Sequence, residues 1–291
     1  MRGVGEATAA VTVVNALPTG VGSAVGVEIP ATAQVSIEER RGGPSEFIVA
    51  HAQETPVVRT ALVQAVERWF PGRPLRVELD LHSEIPVAKG LKSSSAVASA
   101  IHLAIARAAG ERPTAEEVAG WSASTGREAG VSATGAFDDA LAGLIPGFVV
   151  TENPTLRLLG SGAVEPGLGV VLWVPTAHHP SSPELLLRFR ERTDDGHVAA
   201  DLALNGDWWA AMERNTELVE SVMGYDYRPL RVQARRQGAV ASGVSGLGPA
   251  LALVASDRDS EALAALKPIP GAEVRTCQFS RRSRLPWGGG S

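Results

Sequence analysis

The segment Pro86-Val-Ala-Lys-Gly-Leu-Lys-Ser-Ser-Ser-Ala96 gathers residue types suited to holding phosphate. It stands between an alternating stretch and the start of a helical one. A helix start offers unpaired backbone N–H groups and a partial positive charge, and small residues there let an anion approach closely. Ser93, Ser94 and Ser95 add hydroxyls that can donate to phosphate or give oxygen to a hard cation such as Mg2+. Lys89 and Lys92 add positive charge, and with Lys267 they are the only lysines in the chain. The combination fits a polyphosphate site. The competing reading is that the serines only cap the helix, since serine is a preferred N-cap. A Walker A loop is ruled out because no contiguous GK[ST] occurs. A serine hydrolase built on Ser94 lacks the G-x-S-x-G turn and a histidine in a recognisable partner motif.

Two further segments carry chemistry. Asp138 and Asp139 are adjacent, so they point in different directions and only one can face a given reactant. A carboxylate with a pKa of about 4 is ionised at neutral pH and can take a proton from an alcohol. An acidic pair at a helix start can equally do no more than stabilise the helix dipole. The run Gly243-Val-Ser-Gly-Leu-Gly-Pro249 reads in isolation as a turn leading into a strand.

The elements that must position these residues follow from periodicity. Strands are expected at Ala10–Ala16, Ser23–Ile29, Gln34–Glu39 and Phe47–Ala50. Val58, Leu62, Val66 and Trp69 stand at helical spacing, and Pro71-Gly72 ends that helix. Leu75, Val77, Leu79 and Leu81 alternate with polar residues as a half-buried strand does. From Ser94 the chain is helical, with Val97, Ile101, Ile105 and Ala108 on one face and Gly110 as a stop. Thr114 and Glu117 give a capping box for a helix ending near Gly130. After a weakly patterned stretch from Pro146 to Gly169 come strand Val170–Val174, helix Trp208–Met223, strand Leu251–Ala255, helix Ser260–Leu266 and strand Glu273–Phe279. No internal repeat is evident.

At 291 residues, with 44% hydrophobic and 20% charged, the chain fits two packed subdomains of a globular enzyme. No apolar run reaches membrane-spanning length and MRGVGEATAA has no signal-peptide pattern, so a cytoplasmic protein without a membrane partner is expected. A net charge of −5 with scattered basic residues argues against nucleic acid. Cys277 is the only cysteine and cannot form an intrachain disulfide, and no Cys/His pair has the close spacing of a zinc site. His178 and His179 read as loop residues.

Pro86, Gly90, Leu91, Ser93, Ser94 and Ala96 match the motif P-x-x-x-G-L-x-S-S-x-A of the GHMP kinases, which the segment resembles. The usual glycine before the serines is Lys92, a variation that archaeal-type shikimate kinases share. Gly130-Val-Ser-Ala-Thr-Gly-Ala-Phe-Asp-Asp-Ala140 resembles their T-G-A-F-D-D-A signature, and Gly238 to Ala250 their C-terminal glycine-rich motif. Thr12 to Gly26 is similar to their opening strand, turn and strand.

The resemblance implies an α/β (α+β) fold in two subdomains. Residues 1–160 would form a ribosomal-protein-S5-like, nucleotide-binding half and 161–291 a C-terminal α+β half, with the active site between them. It implies ATP and Mg2+, and transfer of phosphate to the 3-hydroxyl of shikimate in aromatic amino acid (chorismate) biosynthesis. Asp138 takes the place of the base in the related G-V-D-N motif of mevalonate kinases. Nucleotide would be held by Lys89, Gly90, Leu91, Lys92, Ser93, Ser94, Ser95 and Ala96, with Ser245, Gly246 and Gly248 packed beside them. Ser94 is a candidate metal ligand. So is Glu128, about ten residues before the base, where a solvated glutamate at a helix end is the alternative. Ser132 and Thr134 stand close enough to Asp138 to touch substrate hydroxyls. The carboxylate of shikimate calls for an arginine fork, and neither spacing nor resemblance picks one of the 24 arginines. Arg281, Arg282 and Arg284 form the one basic cluster, with a solvated tail as the other reading. A GHMP kinase for homoserine or mevalonate, a catalytically silent nucleotide-binding paralogue and a homodimer are left open.

Overall fold

The computed structural model of the chain describes residues 1–176, 182–266 and 271–285, so the reading of His178 and His179 lies outside the described residues. The first part runs β1 (Arg2–Val14), β2 (Val21–Glu39), β3 (Glu46–Ala50), α1 (Pro56–Trp69), β4 (Leu75–Ser83), α2 (Ser93–Ala108), α3 (Ala115–Glu128), α4 (Phe137–Ala142), β5 (Phe148–Glu152) and β6 (Arg157–Gly162). Its strands form one sheet in the order β3-β4-β2-β5-β6, with β1 paired to β2. The strands expected at 23–29 and 34–39 are one long strand. Pro30 interrupts the pattern but not the strand, because it sits where the pairing with β1 shifts register between Thr8 and Ala9, and a bulge tolerates a missing N–H.

Small residues set the height of α2 above this sheet. A side chain at Gly3 or Gly5 would overlap the backbone carbonyl oxygens of Ala104 and Ala100, so β1 and α2 touch almost backbone to backbone. β1 advances from Gly3 to Gly5 as α2 retreats from Ala104 to Ala100, so the two run antiparallel. The C-terminal end of β1 is thereby brought to the N-terminus of α2. On β4, Leu75, Val77, Leu79 and Leu81 are buried as the alternation requires. Thr114 caps α3 in a full capping box with Glu117.

The second part runs β7 (Leu168–Val174), α5 (Pro183–Arg190), α6 (Thr193–Leu204), α7 (Trp208–Met223), α8 (Arg228–Arg236), β8 (Ala241–Val244), β9 (Leu251–Ser256), α9 (Asp257–Ala264) and β10 (Glu273–Gln278). Its sheet has the order β10-β7-β9-β8, and every pair is antiparallel. This sheet is buried on both faces. Leu168, Val170, Leu172 and Val174 of β7 join the core shared with the first sheet, whereas Val171 and Trp173 pack into a second core with Phe189, Leu218 and Leu263. Alternation along a single strand therefore serves two cores.

The chain end returns to the first sheet through a bridge between Val27 and Phe279. The reading of a solvated basic tail fails at Arg284, which is buried. Its guanidinium donates to Glu6 at 2.5 Å and Glu28 at 2.6 Å, and its backbone N–H to Leu144 at 2.8 Å. Among the described residues, no helix is long and apolar enough to cross a membrane.

Candidate active site

The loop between β4 and α2 is shaped by positive backbone angles at Ala88, Gly90 and Lys92. Gly90, at φ 80°, is required twice over: an L side chain is strained there, and its Cβ would overlap the Ser245 carbonyl oxygen. Lys92 occupies the N-cap of α2 in a left-handed conformation and makes no side-chain cap. The first amide of this turn with a backbone partner is that of Ala96, which donates to the Lys92 carbonyl at 3.0 Å. Among the described contacts the amides of Ser93, Ser94 and Ser95 have none, which weighs against capping as the task of the three serines. Ser94 is exposed, Ser93 half-buried and Ser95 buried. The buried Lys89 reaches across to the Thr176 carbonyl at 2.7 Å, just beyond β7.

The glycine-rich turn after β8 lies directly on this loop. Ser245 Oγ donates to the Gly90 carbonyl at 2.7 Å and accepts from the Thr12 amide at 3.2 Å. Thr12 Oγ1 in turn accepts from the Gly246 amide at 2.8 Å, and Asn15 Nδ2 donates to the Gly246 carbonyl at 3.2 Å. Ala250 N–H donates to the Lys89 carbonyl at 3.3 Å, and Tyr225 holds the Leu247 carbonyl at 2.7 Å. Elements from both sheets thus fix one loop.

Asp138 and Asp139 open α4, both buried. Lys92 Nζ lies 2.9 Å from Asp139 Oδ1, so the Pro86 loop and the acidic turn meet through an ion pair. Asp138 rests against Gly22 of β2, where a Cβ would collide with its carboxylate. Its Oδ1 accepts from Asn153 Nδ2 at 2.8 Å, while its own N–H donates to Asn153 Oδ1 at 3.2 Å. Thr151 Oγ1 fixes the amide orientation by donating to Asn153 Oδ1 at 2.7 Å. An ionised Asp138 at its ordinary pKa does not fit these surroundings. Burial, helped by the adjacent Asp139 charge and opposed by Lys92 and Asn153, pushes its carboxyl up to about 7. A carboxyl that half-ionises near neutrality is poised for proton transfer in either direction.

The structure therefore brings together Lys89, Gly90, Lys92, Ser245, Gly246, Gly248, Asp138 and Asp139, with Leu91 buried beneath the loop. Glu128 is not brought to them. It is exposed, and its carboxylate accepts from Gln64 of α1 at 2.6 Å. Gln64 is tied through Thr125 to His102, well along α2 from its first turn. The Ser132 hydroxyl makes no described hydrogen bond, while Thr134 Oγ1 accepts from the Ala136 amide at 3.2 Å. Sequence reasoning missed Asn153, Thr12 and Arg127. Asn153 follows a short strand and looks like a turn residue beside Pro154. The Arg127 guanidinium lies against Gly135, in the same turn as Asp138, so closely that a side chain there would overlap it.

Residues 57–147, which include this loop and the acidic turn, match the GHMP kinases N terminal domain. Shikimate kinase from Pyrococcus abyssi is 34% identical over 88% of this chain and 93% of its own length. That from Thermococcus kodakarensis is 37% identical over 87% and 92%. The chain belongs to the archaeal-type shikimate kinases of the GHMP superfamily. As a member it is an ATP-dependent phosphotransferase. The fold agrees: the structure of Methanococcus jannaschii mevalonate kinase superposes with a TM-score of 0.72, covering 96% of this chain and 99% of that one at 12% identity.

Proposed function

We propose that this protein transfers the γ-phosphate of ATP to the 3-hydroxyl of shikimate, a step in chorismate and aromatic amino acid formation. The observation that carries the reading is the 2.9 Å contact of Lys92 with Asp139. It sets the helix start, whose amides suit phosphate, beside the carboxyl whose pKa suits a hydroxyl proton. Phosphoryl transfer requires the acceptor in line with the phosphate, charge neutralisation and a proton acceptor. Here the free amides of Ser93, Ser94 and Ser95 and the α2 dipole orient and neutralise the phosphates. Lys92 stands between the acidic turn and Gly246, and Asp138 takes the proton. Asn153 holds the Asp138 carboxyl in one orientation.

The donor set also suits a hard cation. Mg2+, when bound, would neutralise phosphate charge; Ser94 Oγ would hold it, whereas Glu128, engaged by Gln64 and tied toward His102, lies away from this set. Residues 1–160 serve the nucleotide in this scheme and 161–291 supply the Ser245–Gly248 clamp, with the change of sheet after β6 as the structural counterpart. For the substrate carboxylate we assign Arg127, whose guanidinium borders the Asp138 turn. Arg127→Ala is expected to raise the shikimate KM about 10- to 100-fold with a smaller change in kcat, as loss of a charged hydrogen bond does.

The direct test measures ADP release with shikimate, homoserine, mevalonate and galactose as separate acceptors. Turnover with shikimate alone is expected. Turnover with another acceptor and none with shikimate overturns the assignment.

A further inference from the structure

At the far end of β3 and β4, on the open side of the first sheet, His51, Asp80 and His82 converge. Asp80 and His82 are two apart on β4 and so project from the same face. β3 runs parallel to β4 with Ala50 opposite Asp80. Simple alternation would send the next residue, His51, to the other face. Its left-handed backbone, φ 58°, turns it back instead, and Nδ1 comes to 2.7 Å from Asp80 Oδ1. His82 Nε2 lies 2.9 Å from the same oxygen. The two rings stack with centroids 5.0 Å apart. All three donor atoms lie within 4.8 Å of one another, and the side chains are 64%, 40% and 59% exposed in chain order.

We propose that this triad binds a divalent transition-metal ion of the Zn2+ class through His51 Nδ1, an Asp80 carboxylate oxygen and His82 Nε2. Two imidazoles and a carboxylate suit zinc, cobalt or nickel and are a poor set for Mg2+, which prefers all-oxygen ligands. Tetrahedral bonds of about 2.0–2.1 Å place neighbouring donors about 3.3 Å apart. The two nitrogen–oxygen contacts reach that spacing by opening roughly half an ångström, and the two ring nitrogens, which lie within 4.8 Å of each other, reach it by side-chain rotation at exposed residues. Three protein ligands leave a coordination position for water. The ion would tie the end of the edge strand β3 to β4, at the start of the segment leading to α1. The site is separate from the oxygen set at Ser94 and serves as a clasp, not as part of phosphoryl transfer.

The test uses untagged, chelator-treated protein and Zn2+ itself. Isothermal titration is expected to show a saturable site that Asp80→Ala and His82→Ala each weaken at least about 10-fold, a loss known even for outer-sphere changes at metal sites. Ser94→Ala is expected to leave that site intact. Co2+ in place of Zn2+ should give the intense visible bands of a four-coordinate ion, and His51→Ala should abolish them. Absence of saturable Zn2+ binding, binding that survives both Asp80→Ala and His82→Ala, or a Co2+ spectrum identical to that of the aqueous ion would each overturn the proposal. Because the three side chains are on the surface, circular dichroism of the variants is expected to match the parent. Should a variant misfold, the Co2+ spectrum of the unaltered protein still decides.

Discussion

Two clusters in this molecule each set two carboxylates against a central cation, joined at the first by the exposed Arg282 at 3.9 Å from Glu6, and they behave in opposite ways. At the C-terminal return, Arg284 is buried while Glu6 and Glu28 remain 35% and 34% exposed, so each carboxylate keeps water on one side and the guanidinium on the other. At the start of α4, Asp138 and Asp139 are both buried and, among the described residues, have Lys92 as their one nearby cation, itself only 12% exposed. Negative charge is left uncompensated there, and Asp138 responds by holding its proton up to about pH 7. The first arrangement fastens a chain end. The second keeps a carboxyl reactive at the expense of local stability, the pattern expected where charge is meant to be met by a ligand.

The largest effect should come from Asp138→Asn, which removes the proton acceptor but keeps the shape. Turnover is expected to fall by about two orders of magnitude or more, the usual contribution of a general base. Near-normal turnover would remove Asp138 from that role and erase the functional half of the comparison. Lys92→Met should follow, with kcat/KM at pH 7 lowered on the order of 10-fold as electrostatic support is lost. In the unaltered enzyme the rate should climb with pH through about 7 as Asp138 ionises. Without Lys92, which favours the ionised form, that limb should move to higher pH; an unmoved limb would show that the cation does not tune the pair.

Arg284→Met should leave kcat within about twofold and reduce stability by about 1–3 kcal/mol, less than a fully enclosed pair would cost because both glutamates can turn to water. Loss of activity in a folded Arg284 variant would blur the two clusters. The remaining expected effect is on heat stability. Asp138 binds its proton more tightly folded than unfolded, so its contribution is present below about pH 3.8 and is lost as pH rises through about 7. The Tm of Asp138→Asn relative to the parent should therefore rise across that window and level off above it. A pH-independent difference would contradict the raised pKa.

Much of this was legible in one dimension. The alternation at Leu75–Leu81, the Thr114–Glu117 capping box and the helix Trp208–Met223 match the structure closely, because each signal is local and repeated. β5 and β6 lie in the weakly patterned stretch: one is five residues and nearly all buried, the other six and largely exposed, so neither alternates. α8 gives no apolar signal, since Arg228, Arg231, Arg235 and Arg236 dominate a helix that buries little beyond Ala234. The glycines from Gly243 spell a turn, yet Gly243 belongs to the short strand β8, where its lack of a side chain admits Met212.

By itself, the sequence determined the phosphate loop, the acidic pair, the glycine-rich turn and the family they indicate, since motif identity and short-range spacing are properties of neighbours along the chain. Only the tertiary structure decided that Asn153 orients Asp138, that its carboxyl titrates near 7, that Glu128 is engaged by Gln64, and that His51 joins Asp80 and His82. Desolvation and Coulomb energies depend on distance through space, and these partners are brought together by sheet register and helix packing, which no local pattern of residue types encodes.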